Sequence, residues 1–434
     1  MISSCCNLRN LSRRAIENIA LYVFFVVGYS LWLNSVPDKL ELFESWIDSY
    51  ISLLERGWRL MQEELFSMKP NDSNQSVNAP FWYLSVKASF LVFGKTLFGY
   101  RIPGVLLTAL APVCMAEIVR RFFRPDLALW SGLLVGGHQH VIGFGRTGGY
   151  IGPTLTLELA IALFGFSVAF EGKKRSWWPL ALCLALVPFF YSTVRYLCFI
   201  GLLPIFWKMV FSRDFRKANL LPLGATVAMA LGVGLALTQG GKLEQALVFI
   251  SARGEQFLIT DKTVSEGFEA ETINPQHRLS ALLTTMIPER LEQLEVFYSG
   301  GRRFYLHRFF YERSFTDWGM LRPIFLVLLA LGALRCCVYA VKQQRYLIFP
   351  FWSIFCWIPL LVTTGITPNR MLLGVPSDMF MILLGFCAPL DALSSVLPEK
   401  LRWTPRIIMW ICVLVFTYYS LFTYYYDYVR FPNA

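Results

Sequence analysis

Apolar runs long enough to cross a bilayer recur along the whole chain of 434 residues, and that recurrence leaves few folds open. A spanning helix needs about 20 residues, because a backbone in hydrocarbon must satisfy its own hydrogen bonds. Such runs fall at roughly 16–33, 101–119, 127–144, 151–170, 177–191, 194–211, 219–238, 321–341, 346–364, 370–389 and 405–425. With 55% hydrophobic and 16% charged residues, the chain is too apolar for a soluble core inside a polar shell. The expected fold class is all-α: one polytopic membrane bundle over 1–434, of about 11 transmembrane helices, with interfacial helices on its outer face.

The formal charge of +11 raises the question of nucleic acid. Its distribution answers that question, because the basic residues gather in every second short connection. Arg120, Arg121 and Arg124 form one group, and Lys173, Lys174 and Arg175 the next. Arg213, Arg216 and Lys217 follow, then Lys342 with Arg345, then Lys400 with Arg402. This is the positive-inside pattern, with the N-terminus cytoplasmic and the C-terminus extracytoplasmic. No nucleic-acid partner is implied. The polar segments 34–100 and 239–320 then both lie outside. The stretch 81–98 is read as an interfacial helix, since counting it as a span would reverse the charge pattern. The first run follows Arg9, Arg13 and Arg14 without a small-residue cleavage site, so it is expected to be a retained helix. The 10 cysteines show no ligand spacing and read as small hydrophobes. No metal and no cofactor are expected.

Against that background, arginines in the outer connections need a reason. Arg146 stands in GFGRTGGYIG, Arg195 in FYSTVRY, Arg370 in TGITPNRM, and Arg101 in GYRIPG. Each alone could snorkel to lipid headgroups. Together they predict a basic pocket for the phosphate of a lipid carrier, since a guanidinium offers phosphate two parallel donors. In the second outer segment Arg302, Arg303 and Arg308 alternate with aromatics, which reads as an interfacial anchor or as further phosphate contacts. Acids come from LELFESWIDSYISLLERGW at 40–58, where Glu41, Glu44 and Asp48 share one side of a helical rhythm. They form either a solvated face or, turned inward, the base that deprotonates an acceptor as the phosphate leaves. His138 and His140 have poor metal-ligand geometry at i,i+2 on a helix and read as hydrogen-bonded core residues. Glu158 is a solitary acid within a span.

These residues, in this order, resemble the C-type glycosyltransferase superfamily, in its branch of dolichyl-phosphate-mannose protein mannosyltransferases and lipid A aminoarabinose transferases. The segment 78–123 is similar to the family's His-Pro-Pro-aromatic motif, interfacial helix, Phe-Gly, Arg-Leu-Pro and closing Arg-Arg. Here these are Asn78–Pro80, Phe93–Gly94, Arg101–Pro103 and Arg120–Arg121. GRTGGYIG resembles the family's fourth-span start, where an arginine and a tyrosine (here Arg146 and Tyr150) precede the helix. The segment 368–385 is similar to its Arg-Tyr-Leu-Leu-Pro segment. The resemblance implies a polyprenyl-phosphate-linked sugar donor, a cavity beneath juxtamembrane helices and transfer on the non-cytoplasmic side. It also implies inverting chemistry, with no cofactor.

The sequence departs from that family where the chemistry sits. Leu42 and Phe43 occupy the place of its usual acidic pair, flanked by Glu41 and Glu44. Asn78 stands for the histidine, and Ile151 or Gly152 for a second acid. Two further readings therefore stand beside glycosyl transfer: an inactive scaffold or assembly subunit that binds other membrane subunits and lipids, and a transporter using Glu158. Location follows origin, with the plasma membrane expected in a bacterium and the endoplasmic reticulum in a eukaryote. In the second case Asn71 and Asn74 would be glycosylation acceptors.

Overall fold

The computed structural model describes residues 2–35, 80–146, 151–187, 194–237, 323–362, 372–401 and 403–430, and among them every element is helical. The first half contains α1 (Ile2–Ser30), α2 (Pro80–Phe93), α3 (Leu97–Thr108), α4 (Leu110–Phe122), α5 (Ala128–Gly136), α6 (Gln139–Arg146) and α7 (Ile151–Glu171). The second contains α8 (Trp177–Leu186), α9 (Val194–Phe211), α10 (Arg213–Leu237), α11 (Pro323–Ala340), α12 (Ile348–Val362), α13 (Val375–Val396) and α14 (Thr404–Arg430). Among the described residues, four helical stretches are long and apolar enough to cross a membrane: Leu97–Phe122, Ile151–Glu171, Leu372–Val396 and Glu399–Phe422. The protein is an integral membrane protein built as a polytopic helical bundle.

Two of the runs expected as single spans are broken, for local reasons. Between α3 and α4, Pro112 has no N–H to offer Thr108 O, and its ring crowds that carbonyl, so the helix resets at Ala109. Between α5 and α6 the chain turns at Gly137 and His138. A break inside an apolar bundle frees backbone groups that water cannot reach, and here side chains take them up. The Tyr29 hydroxyl donates to Gly136 O at 2.7 Å, while Leu133 O keeps its bond from Gly137 N at 2.8 Å and receives a second, longer donation from the Thr417 hydroxyl at 3.4 Å. His140 N donates to Nδ1 of His138 at 3.3 Å. Both histidines are buried core residues at this turn.

Tight helix crossings need missing side chains. α11 lies against α13 with Gly332 facing Met381 O and Gly385 facing Leu328 O, so a Cβ at either glycine would overlap backbone. The main core joins α1 through α7 to α12, α13 and α14. A smaller cluster, which includes Leu157, Trp177 and Ile205, joins α7 to α8, α9 and α10. α2, expected to be interfacial, buries Trp82, Tyr83 and Val86 and leaves Leu91 and Val92 exposed.

One end of the bundle is tied by ion pairs. Glu117 on α4 is buried and accepts from Arg14 Nε and Asn18 Nδ2, each at 2.9 Å, and also pairs with Arg120. Arg120 reaches Glu17 on α1 at 2.9 Å. Arg121 pairs with Glu171 and donates to the Ser167 hydroxyl at 2.8 Å, joining α4 to α7. Arg124 pairs with Asp126 at 2.6 Å and with Asp391 on α13 at 3.3 Å, and Asp391 also pairs with Arg335 on α11. The arginines that the sequence assigns to topology are therefore also the clasps between α1, α4, α7, α11 and α13.

Candidate functional site

The opposite end of the bundle brings together the two arginines, of those the sequence assigns to outer connections, whose side chains are described. Arg101 sits in the first turns of α3, and Arg146 is the last residue of α6. Small residues bring these helices into contact. A Cβ added at Gly104 would lie 2.9 Å from Gly145 O, and one at Gly152, at the start of α7, would strike the Thr108 hydroxyl of α3. Both arginines are fully buried.

Their guanidinium groups point at the same piece of chain. Arg101 Nη1 donates to Leu33 O at 2.8 Å. Arg146 Nη1 donates to Leu31 O at 2.6 Å and to Tyr29 O. A helix leaves its last carbonyls without intrahelical donors, and cations are favoured at that end. Here every carbonyl from 29 to 33 is engaged. Leu33 N donates to Ser30 O at 3.2 Å and Ser35 N to Trp32 O at 3.1 Å, while the arginines take the three between and beyond them. At the centre of the turn Trp32 has φ 51°, a left-handed conformation for a residue with a bulky side chain. Such a conformation costs roughly 1–2 kcal/mol and persists where its surroundings over-determine it.

The other sequence-derived candidates are not described as side chains. Glu41, Glu44, Asp48, Tyr150, Arg303 and Arg370 lie outside the described residues, as do Arg302 and Arg308. Arg195 falls in α9, whose backbone alone is described at that position. Among the described residues, no group of three or more His, Cys, Asp or Glu is arranged to hold a metal ion.

Deeper in the bundle, the acid read from the sequence as solitary has company. Glu158 on α7 is buried, and its Oε1 accepts from the Trp352 indole at 3.0 Å. The same N–H reaches Leu373 O at 3.0 Å, which ties α7 to α12 and to the turn before α13. Oε2 of Glu158 is buried with no hydrogen-bond partner among the described residues. Asp378 on α13, also buried, accepts from the Ser353 hydroxyl at 2.7 Å, and Cys356 lies within electrostatic reach of both acids. Sequence reading passed over Asp378, although the signal that singled out Glu158, an acid inside an apolar run, applies equally to GVPSDMFMILLG. Replacing Trp352 with phenylalanine strips Glu158 of its donor among the described residues and should cost about 1–3 kcal/mol. The check is thermal unfolding in detergent, where an unchanged midpoint would count against the bridge.

Comparison with known proteins bears on the fold. The profile of the dolichyl-phosphate-mannose-protein mannosyltransferase family matches residues 77–262, less than half of the chain. Among solved structures, the crystal structure of the Archaeoglobus fulgidus oligosaccharyltransferase in the apo form superposes with a TM-score of 0.54 at 14% identity. That match covers 96% of this chain and 56% of the archaeal enzyme, so the chain spans little more than half its length. The crystal structure of ArnT from Cupriavidus metallidurans in the apo state gives a TM-score of 0.45 at 12% identity, covering 95% of this chain and 75% of that one. Comparison with the curated proteins finds no match.

Proposed function

We propose, from the premise that the chain belongs by its fold to the C-type glycosyltransferase superfamily, that it moves a sugar from a polyprenyl-phosphate-linked donor to an acceptor on the non-cytoplasmic face. The observation that carries this reading is the convergence of Arg101 and Arg146 on the exit of α1. That exit leads directly into the segment containing Glu41, Glu44 and Asp48. The two buried cations fix where the acid-bearing segment starts, and such a segment suits this chemistry, since the acceptor must give up a proton as a lipid phosphate leaves. Arg370, Arg195, Arg303 and Tyr150 are the remaining candidates for the donor phosphate.

The loss of the family's acidic pair at Leu42 and Phe43, and of its histidine at Asn78, favours a second reading, an inactive scaffold that binds lipid or other membrane subunits. Sugar transfer by the purified full chain from a panel of polyprenyl-phosphate sugars separates the two. Turnover with any donor supports the enzyme, and none with any of them leaves the scaffold.

Orientation has its own test. The basic connections place Lys174 on the cytoplasmic side with the N-terminus. In a cysteine-depleted background, a Lys174→Cys variant should react with an impermeant maleimide only from that side. Labelling from the outside would overturn the topology.

A further inference from the structure

We infer that Arg101 and Arg146 are positioning residues: they set the direction in which the chain leaves α1, and their Nη1 donors serve backbone carbonyls in place of the direct phosphate contact that their sequence setting suggests. The inference rests on the glycosyltransferase reading only for its consequence in catalysis. Its structural content stands on the described atoms alone.

Three observations carry it. The two arginines come from helices distant in sequence from α1, yet the three carbonyls they hold fall within five residues, Tyr29 to Leu33. Those three alternate with the two that the backbone itself satisfies, so the turn is complete only with both guanidiniums in place. Finally, Trp32 in the middle holds a left-handed conformation that an unrestrained tryptophan would abandon. Tyr29 is gripped twice, its carbonyl by Arg146 and its hydroxyl by donation to Gly136 O, so the end of α5 and the end of α6 are both clasped to α1.

The grip is unequal, and that gives the inference a signature. Among the described carbonyls, Arg146 bridges two through one nitrogen, whereas Arg101 holds one. A lysine keeps the cation, but its ammonium ends about one bond short of the position Nη1 holds, so every contact made there is lost or stretched. Arg146→Lys should therefore loosen the turn more than Arg101→Lys. Two phosphate ligands would show no such order, because each lysine would forfeit the same paired donation.

The experiment uses the full chain in nanodiscs, with spin labels on cysteines at Ser35 and Val92, both exposed, in a background lacking the native cysteines. The expected result is a narrow distance distribution for the parent, broader for R101K and broadest for R146K. Glycine adopts a positive φ without steric cost, so adding W32G to R146K should narrow the distribution again. In the transfer assay the lysine variants should lose kcat by up to about a hundredfold, as misplacement by about 1 Å does, with KM for the donor changed less than about twofold. Unchanged distances in both variants, or lost donor binding that W32G fails to rescue, would overturn the inference. If even the parent shows no turnover, the glycosyltransferase reading fails and the distances still decide this one. If R146K does not fold, R101K and its W32G double variant provide the same comparison.

Discussion

Glu44→Gln is expected to abolish sugar transfer while leaving donor binding intact. Glutamine keeps the shape of the side chain and removes its capacity to accept a proton, and general-base assistance is worth about 10²–10⁴-fold. Glu44 ranks ahead of Asp48 and Glu41 because it stands one residue after Phe43, beside the position that resemblance assigns to an acid, and one helical turn before Asp48. An offset of one residue on a helix turns a side chain by about 100°. The substitution therefore works only if this segment sits in its own register, which is what a chain exit fixed by Arg101 and Arg146 would supply. The measurement is transfer from a polyprenyl-phosphate sugar by wild type, E44Q, D48N and E41Q, with donor affinity measured in parallel. Full activity in all three variants would remove these acids from the mechanism.

The second large effect is on stability. Glu117→Gln should cost about 3 kcal/mol, because it strips the counter-charge from Arg14 and Arg120 at a buried carboxylate. Part is recovered by Arg14, which is 39% exposed and can turn toward water. Unfolding in detergent should show a lowered midpoint, and R14Q should cost less in the E117Q background than in the parent. An E117Q protein that melts with the wild type would show that Glu17 alone is enough for Arg120.

Much of this architecture was legible in the sequence, because apolar period and length decide what a bilayer accepts. α7, α9 and α12 begin within two residues of the runs that announce them. The breaks were not. Pro112 sits two residues inside α4, and its effect falls on Thr108, four residues back, at a point that hydropathy reads as continuous. The turn at His138 leaves Gly136 O to a partner more than a hundred residues away, Tyr29. For the candidate site, sequence identified Arg101 and Arg146 as misplaced by the charge rule. It could not show that their donors meet carbonyls, because a backbone carbonyl carries no residue signature. Asp378 was readable and was missed, since its apolar surroundings were weighed as a span without asking what the acid faced.

The turn between α5 and α6 also bears on the order of assembly. Its freed carbonyl, Gly136 O, receives the hydroxyl of Tyr29, 107 residues earlier in the chain, and Leu133 O is served by Gly137 N at 2.8 Å. Both donors are made before or with the turn, so α5 and α6 can enter the membrane already bent against α1. The hydroxyl of Thr417, 284 residues later, adds a donation of 3.4 Å to Leu133 O when α14 arrives, and locks a bend that the first half of the chain has made for itself.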